Sequence, residues 1–225
     1  MAASGPVPVA VNIDAYSDVA CPWCYVGKRR LDLAIQKIEG DAKSPSIRVV
    51  VKWHPYMIDL RTNISGEEYL AYNRRRWGSD SWTQSLRRSG AKNGLNFADW
   101  QWWPNTLHAH RLVHLADSFG KGAEAKQLLL EKTYEKGLNV SNVEVLCSIA
   151  EELDLPKPTE YLESDQGKEE VLKQDKFAKS KLGIGSVPHF IVDNKFSLSG
   201  AQDVATFESA IQKAATFHLE QLTSM

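Results

Sequence analysis

Ser17-Asp18-Val19-Ala20-Cys21-Pro22-Trp23-Cys24-Tyr25-Val26-Gly27 decides how the chain reads. It lies where a β-branched, apolar run, Val7 to Tyr16, gives way to a helix-patterned one, Lys28 to Ile38. Two cysteines with two residues between them can close a small disulfide ring. At a strand-to-helix junction the helix start also directs unpaired N–H groups and a positive dipole end at the first sulfur. The expectation is a redox pair with a thiolate favoured at Cys21.

A C-x-x-C pair can also be half of a zinc site, and the remaining ligand inventory argues against that. A structural zinc needs about four ligands, and the chain has 3 cysteines. The third, Cys147, falls on the helical stripe Val143, Leu146, Cys147, Ala150, Leu153 and reads as an inert buried thiol. His110 and His114 have the i, i+4 spacing of a ligand pair but lack the Glu of an H-E-x-x-H pattern, so they read as helix-surface histidines and no metal is expected.

Working outward, Ile47 to Trp53 is a second strand candidate, set off by Ser44-Pro45-Ser46 as a turn. The helix between the strands carries Leu31, Ala34, Ile35 and Ile38 on one stripe, so the unit is βαβ with parallel strands and a right-handed crossover. From about Gly66 to Ala178 the strand signal disappears and helical periodicity takes over. Breaks are expected at Gly78, Gly90, Gly94, Pro104, Gly120, Gly137 and Pro156-Lys157-Pro158. Ser141-Asn142-Val143-Glu144 has capping-box spacing and fits a helix start. Strand character returns at His189 to Val192 and Lys195 to Leu198, linked by Asp193-Asn194 as a tight hairpin. A final helix has Val204, Phe207, Ile211 and Ala214 as its inner face.

The 225 residues are 43% hydrophobic and 24% charged with a net charge of -1, the composition of a globular protein without a broad field for nucleic acid or anionic membrane. Arg74-Arg75-Arg76 and Arg87-Arg88 lie among acidic and apolar residues and read as solvated helix faces. Met1 to Pro8 has no basic or apolar region of a secretory signal, no run is long enough to span a bilayer, and the final Thr-Ser-Met is no peroxisomal address. A cytoplasmic protein is expected. In a reducing compartment a C-x-x-C pair is more readily catalytic than structural, and the sequons at Asn63 and Asn139 carry no meaning there.

With these pieces in place the chain resembles the FrnE-like branch of the DsbA family of thiol-disulfide oxidoreductases. The resemblance rests on the opening stretch together with Trp53-His-Pro55-Tyr56, Asn105-Thr-Leu-His-Ala109-His110-Arg111-Leu112, Gly183-Ile-Gly-Ser-Val187-Pro188 and Ser199-Gly200-Ala201-Gln202. Tyr56 stands where members often have Phe, and Trp100-Gln-Trp102-Trp103 is peculiar to this sequence. The resemblance implies an α/β, thioredoxin-like fold with a large all-α insertion: residues 1–62 and 181–225 form the thioredoxin-like part, residues 63–180 the insertion. It further implies a cis Val187–Pro188 bond packed opposite the cysteines.

In the chemistry this implies, Cys21 attacks or is attacked and Cys24 resolves the mixed disulfide. The redox-active Cys21–Cys24 disulfide serves in place of a bound cofactor, with glutathione as a candidate co-substrate. Pro22, Trp23, Val187, Pro188, His189 and Asn105 are the candidate substrate-binding residues, and the substrate is a protein or small-molecule disulfide or thiol. An indole in the dipeptide supplies no positive charge, so the pair should be less oxidising than the periplasmic DsbA value of about −120 mV. Asp18 reads as a proton relay, as a like charge that disfavours the Cys21 thiolate, or as a helix-entry cap. His189 reads as facing the sulfurs or as an ordinary strand residue, Asn105 and Thr106 as helix caps or cleft lining, and Trp100, Trp102 and Trp103 as packing or an apolar substrate wall. Two readings compete with exchange. Glutathione-dependent isomerases and kappa-class transferases share this architecture but usually replace the first cysteine with serine. A non-catalytic binding module would instead use the thiols to hold metal.

Overall fold

The structure, a computed structural model, describes residues 8–40, 47–97 and 100–223. The Ser44-Pro45-Ser46 turn lies outside the described residues. Strand β1 (Val9–Ser17) pairs in parallel with β2 (Ile47–Pro55), in register from Val9 opposite Ile47 to Ser17 opposite Pro55. Helix α1 (Pro22–Glu39) connects them, opened by Pro22 at its first turn, where a missing N–H costs nothing.

The alternation of β1 turns Val11, Ile13 and Ala15 to one face. There they bury with Leu31, Ala34 and Ile38 of α1 and with Phe207, Ile211 and Ala214 of the last helix. Among the described residues, two two-residue strands and seven helices run between β2 and the last strands. They are β3 (Glu67–Glu68), α2 (Tyr69–Trp77), α3 (Trp82–Ala91), β4 (Trp102–Trp103), α4 (Leu107–Asp117), α5 (Gly122–Tyr134), α6 (Val143–Glu152), α7 (Pro158–Glu163) and α8 (Lys168–Ser180). The chain then returns as β5 (His189–Val192), antiparallel to β1, and β6 (Phe196–Ser199), giving the order β2-β1-β5-β6 before α9 (Val204–Thr223) closes the layer. This is the thioredoxin-like α/β arrangement with a helical insertion, and the insertion has its own apolar cluster around Trp100, Leu112, Leu129 and Leu146.

Several local expectations need correction. The middle is not free of strands, because Glu67 pairs with Trp103 and Glu68 with Trp102. Gly90 does not break α3 but lies within it, and a Cβ there would run into the Phe97 ring. Helix α6 is capped by Asn142, whose side chain accepts from the Glu144 N–H, while Ser141 Oγ accepts from the Asn105 N–H. Cys147 is half-buried rather than enclosed and sits 3.4 Å from Thr159 Oγ1. In the hairpin Asp193 and Asn194 take the left-handed conformation, and Lys195 joins them before the register resumes at Phe196.

Helix α1 and the loop before β5 approach so closely that only glycine fits between them: a Cβ on Gly27 would lie 2.8 Å from Pro188 Cγ and 3.4 Å from Phe190 Cζ. Gly27→Ala gains about 1 kcal/mol in helix propensity but overpacks a site that is closed on both sides, at about 1–3 kcal/mol. A lowered midpoint in urea denaturation is expected. A midpoint that stays or rises would show that the Pro188 loop gives way freely.

Candidate active site

The junction between β1 and α1 sets two sulfurs at the helix start. Cys21 is the N-cap residue in extended conformation, and the Cys24 N–H donates to the Cys21 carbonyl at 2.9 Å. Both thiols are free and in hydrogen-bond contact. Cys21 is 6% exposed and Cys24 0%, so the first sulfur is the accessible one. The Cys21 thiol also approaches the carbonyl of Val187 at 3.6 Å. The Val187–Pro188 bond is cis.

A charged cluster is sealed beneath the sulfurs. Asp18, 1% exposed, accepts from the Ala20 N–H at 3.2 Å and the Ile58 N–H at 2.7 Å, and lies 3.4 Å from His110 Nε2 of α4. Lys126 of α5, equally buried, donates to the Ser17 carbonyl at 3.3 Å and places its ammonium 5.9 Å from the Trp53 ring. Burial pushes the Asp18 carboxyl up, but His110, the Ile58 N–H and the Thr106 side chain outweigh it and hold Asp18 below the usual carboxylate range. Burial lowers His110, only partly opposed by Asp18, so the imidazole is biased to its neutral form. Burial also brings Lys126 down to about 8, against the attraction of the sulfurs and Asp18.

The expectation of a favoured thiolate at Cys21 is overturned in this reduced state. Its hydrogen bond with the Cys24 sulfur, burial, and its electrostatic interactions with Cys24 and the Asp18 carboxylate push the thiol well above its ordinary range, and the Cys24 backbone N–H only partly opposes them. The helix start is present, yet it is outweighed by desolvation and like charge.

Of the other residues singled out from sequence, Pro22 and Trp23 line a cavity that opens onto Cys21, and Val187 and Pro188 form the loop opposite. Trp103 joins that cavity, whereas Trp100 stacks on Tyr69 inside the core with its Nε1 donating to the Trp102 carbonyl. His189 is turned away from the sulfurs: its Nε2 pairs with Ser197 Oγ at 2.8 Å across the hairpin. Asn105 is held in the loop before α4, donating from Nδ2 to the Thr62 carbonyl and accepting from the Leu107 N–H, which fits the capping alternative. Asp18 caps no helix. His110 is not a surface residue but 3% exposed. Lys126, Trp77 and Trp82 are the residues that sequence reasoning missed. Lys126 alone left a signal, because it shares an i, i+4 stripe with buried Leu130, where a lysine is out of place. A separate cavity of about 110 Å³, lined by Lys52, His114, Asp117 and Gln174, reaches His110 and Lys126. Among the described residues no cluster of metal-ligating side chains occurs.

A family model described as a DSBA-like thioredoxin domain matches residues 12–212. The uncharacterized protein YwbO of Bacillus subtilis (strain 168) is 27% identical over 90% of this chain and 96% of its own length. Among solved structures, a probable DsbA oxidoreductase from Streptomyces coelicolor superposes with a TM-score of 0.78 at 24% identity, covering 91% of this chain and 89% of its own. The cytosolic disulfide reductase DsbM of Pseudomonas aeruginosa, solved with GSH, superposes with a TM-score of 0.59 at 15% identity over 94% of this chain and 99% of its own. At such identities the structural likeness speaks for the fold.

Lys126 supplies a pH test. In the folded chain it releases its proton near pH 8, against an ordinary lysine value of 10.5. Between those values the unfolded chain holds more protons, so the position's contribution to stability rises with pH and is most unfavourable below the folded value. The stability of wild type relative to Lys126→Met is expected to improve by about 3 kcal/mol from pH 8 to 10.5, read from urea denaturation at each pH. A difference that stays flat over that window would mean that burial does not perturb this ammonium.

Proposed function

The chain belongs to the DSBA-like thioredoxin domain family, and from that premise we propose that it exchanges disulfides through Cys21 and Cys24 with protein or small-molecule partners. The observation that carries this reading is the contact of two free thiols at a helix start, the outer one beside the Val187 carbonyl, over a sealed carboxylate and ammonium. The presence of both sulfurs favours exchange over a glutathione-dependent isomerase or kappa-class transferase.

In the proposed reaction the Cys21 thiolate attacks one sulfur of the substrate disulfide, forming a mixed disulfide and releasing one substrate thiolate. Cys24 then gives up its proton and attacks the Cys21 sulfur. The internal disulfide closes, the second substrate thiolate leaves, and two electrons have passed from the pair to the substrate. Lys126, brought down to about 8 and within the field of both sulfurs, is the proposed proton acceptor, with Asp18 offsetting the charge it then carries. An external thiol returns the electrons; glutathione is the candidate, and the complex of DsbM with GSH is compatible with that choice. The Val187 N–H has no partner among the described residues, which leaves it free to pair with an extended substrate passing Pro188. Pro22 and Trp23 shape the other side of the reacting sulfur. Such chemistry suits a reducing, cytoplasmic setting, and among the described residues no helix is long and apolar enough to cross a membrane.

The test separates attack from resolution. Cys24→Ser incubated with a disulfide substrate is expected to accumulate a mixed disulfide at Cys21, seen by mass spectrometry under non-reducing conditions, whereas Cys21→Ser accumulates none. Equal turnover by Cys24→Ser and wild type would assign resolution to an external thiol, and adducts on Cys24 in place of Cys21 would reverse the roles.

A further inference from the structure

The accessible side of Cys21 opens into an apolar chamber that the exchange chemistry does not itself require. Its volume is about 310 Å³, and apart from the Cys21 sulfur it is lined by Pro22, Trp23, Ile58, Trp77, Trp82 and Trp103. Among the described residues no lining side chain is charged. The four indoles come from separate places: α1 gives Trp23, α2 ends with Trp77, α3 begins with Trp82 and β4 gives Trp103. Two of them are fixed from behind, Trp103 by stacking on Tyr72 at 4.1 Å and Trp77 by the Arg76 guanidinium 4.5 Å from its ring. Trp77 is 48% exposed, unusual for an indole with no binding role, and stands at the mouth.

Taking the exchange reading as given, we propose that this chamber selects small aromatic disulfides, holding one neutral aryl group against the indoles while its sulfur meets Cys21. Three observations favour that occupant. Among the described residues the wall offers no partner for a charge or an amide, so a glutathionyl arm placed there would lose its hydration without compensation. The volume lies at the low end of small-molecule sites and takes one ring system rather than a length of chain. The walls are planar π-systems, which reward offset or edge-on contact with another ring. The chamber is also continuous with the reacting atom, so the ring is placed by the same contact that brings its sulfur to Cys21.

The electron balance is that of the exchange above with an aryl substrate. Cys21 takes one arylthio group and releases one arylthiolate, and Cys24 closes the internal disulfide and releases the second. A dithiol reductant restores both thiols.

Steady-state reduction is measured with dithiothreitol as reductant and three disulfides: dithiodipyridine, bis-hydroxyethyl disulfide, and a cystine peptide with phenylalanine beside each cysteine. Each rate is divided by that of dithiothreitol alone with the same disulfide, which removes the intrinsic reactivity of the aryl compound. Trp77→Ala, chosen because the side chain is half exposed, is expected to raise KM for dithiodipyridine about tenfold and leave the bis-hydroxyethyl compound unchanged within about twofold. Trp77→Phe should restore most of the loss. Equal effects of Trp77→Ala on both small disulfides, or none on either, would overturn the chamber's role while leaving exchange intact. Dependence on Trp77 for the phenylalanine peptide alone would make the occupant a polypeptide side chain and overturn the small-molecule assignment. If wild type reduces none of the three and Cys24→Ser traps nothing, exchange itself fails.

Discussion

A carboxylate enclosed beneath two thiols is the constraint around which the rest of the molecule is arranged. An ionised Asp18 without water must be compensated by fixed donors or it would take up a proton. Its compensation is gathered from four places in the chain: the turn after β1 supplies the Ala20 N–H, the segment after β2 the Ile58 N–H, the start of α4 Thr106 and His110, and α5 the Lys126 ammonium. The thioredoxin-like sheet and the inserted helices are therefore joined by one electrostatic problem as well as by packing. Truncating any one partner leaves a buried charge short of its support, which is why such clusters are costly to break even where an apolar replacement of the whole would be tolerated.

The same low dielectric works on the sulfurs. Helix starts lower a thiol's pKa when the sulfur is partly hydrated and cations stand near. Here Cys21 shares its hydrogen-bonding space with Cys24 and faces the Asp18 charge, and the dipole loses. Desolvation and like charge raise a thiol by destabilising its thiolate, so the reduced pair gains little from ionisation, which belongs to a less oxidising couple. The tryptophan of the dipeptide acts the same way, since it stabilises no thiolate. The two influences reinforce one another.

The main architecture was legible because it is written in local periodicity: β-branched runs, a 3.6-residue stripe after the cysteines, and a hairpin with Asp193-Asn194 at its turn. The two sulfurs were equally plain from spacing. What stayed hidden is long-range. His110 carries the same i, i+4 relation to His114 whether it faces solvent or a carboxylate at 3.4 Å, and only the tertiary packing that brings α4 to Asp18, in the turn after β1, tells them apart. Trp77 and Trp82 lie in a polar, arginine-rich stretch that reads as solvated helix. They meet Trp23 and Trp103 only because the short β3–β4 pairing brings α2 and β4 together. His189 shows the converse. Its position after Pro188 drew it toward the sulfurs, while the pairing of β5 with β6 gives its ring to Ser197.

The dithiol thus separates two environments of opposite character. On one side the tryptophan chamber offers apolar surface and, among the described residues, no proton acceptor apart from the sulfur itself. On the other, Asp18, His110 and Lys126 form a polar cluster, and a second cavity of about 110 Å³ runs from the last two toward Lys52 and Gln174. A substrate filling the chamber would block proton traffic on that side at the moment when Cys24 must lose a proton. An acceptor on the opposite side removes the conflict, because the group that arrives and the proton that leaves no longer compete for the same opening. It also gives a reason for burying charge at all. A protein that only needed to hold two thiols in place could fill the space beneath them with leucine, at lower cost and with greater stability.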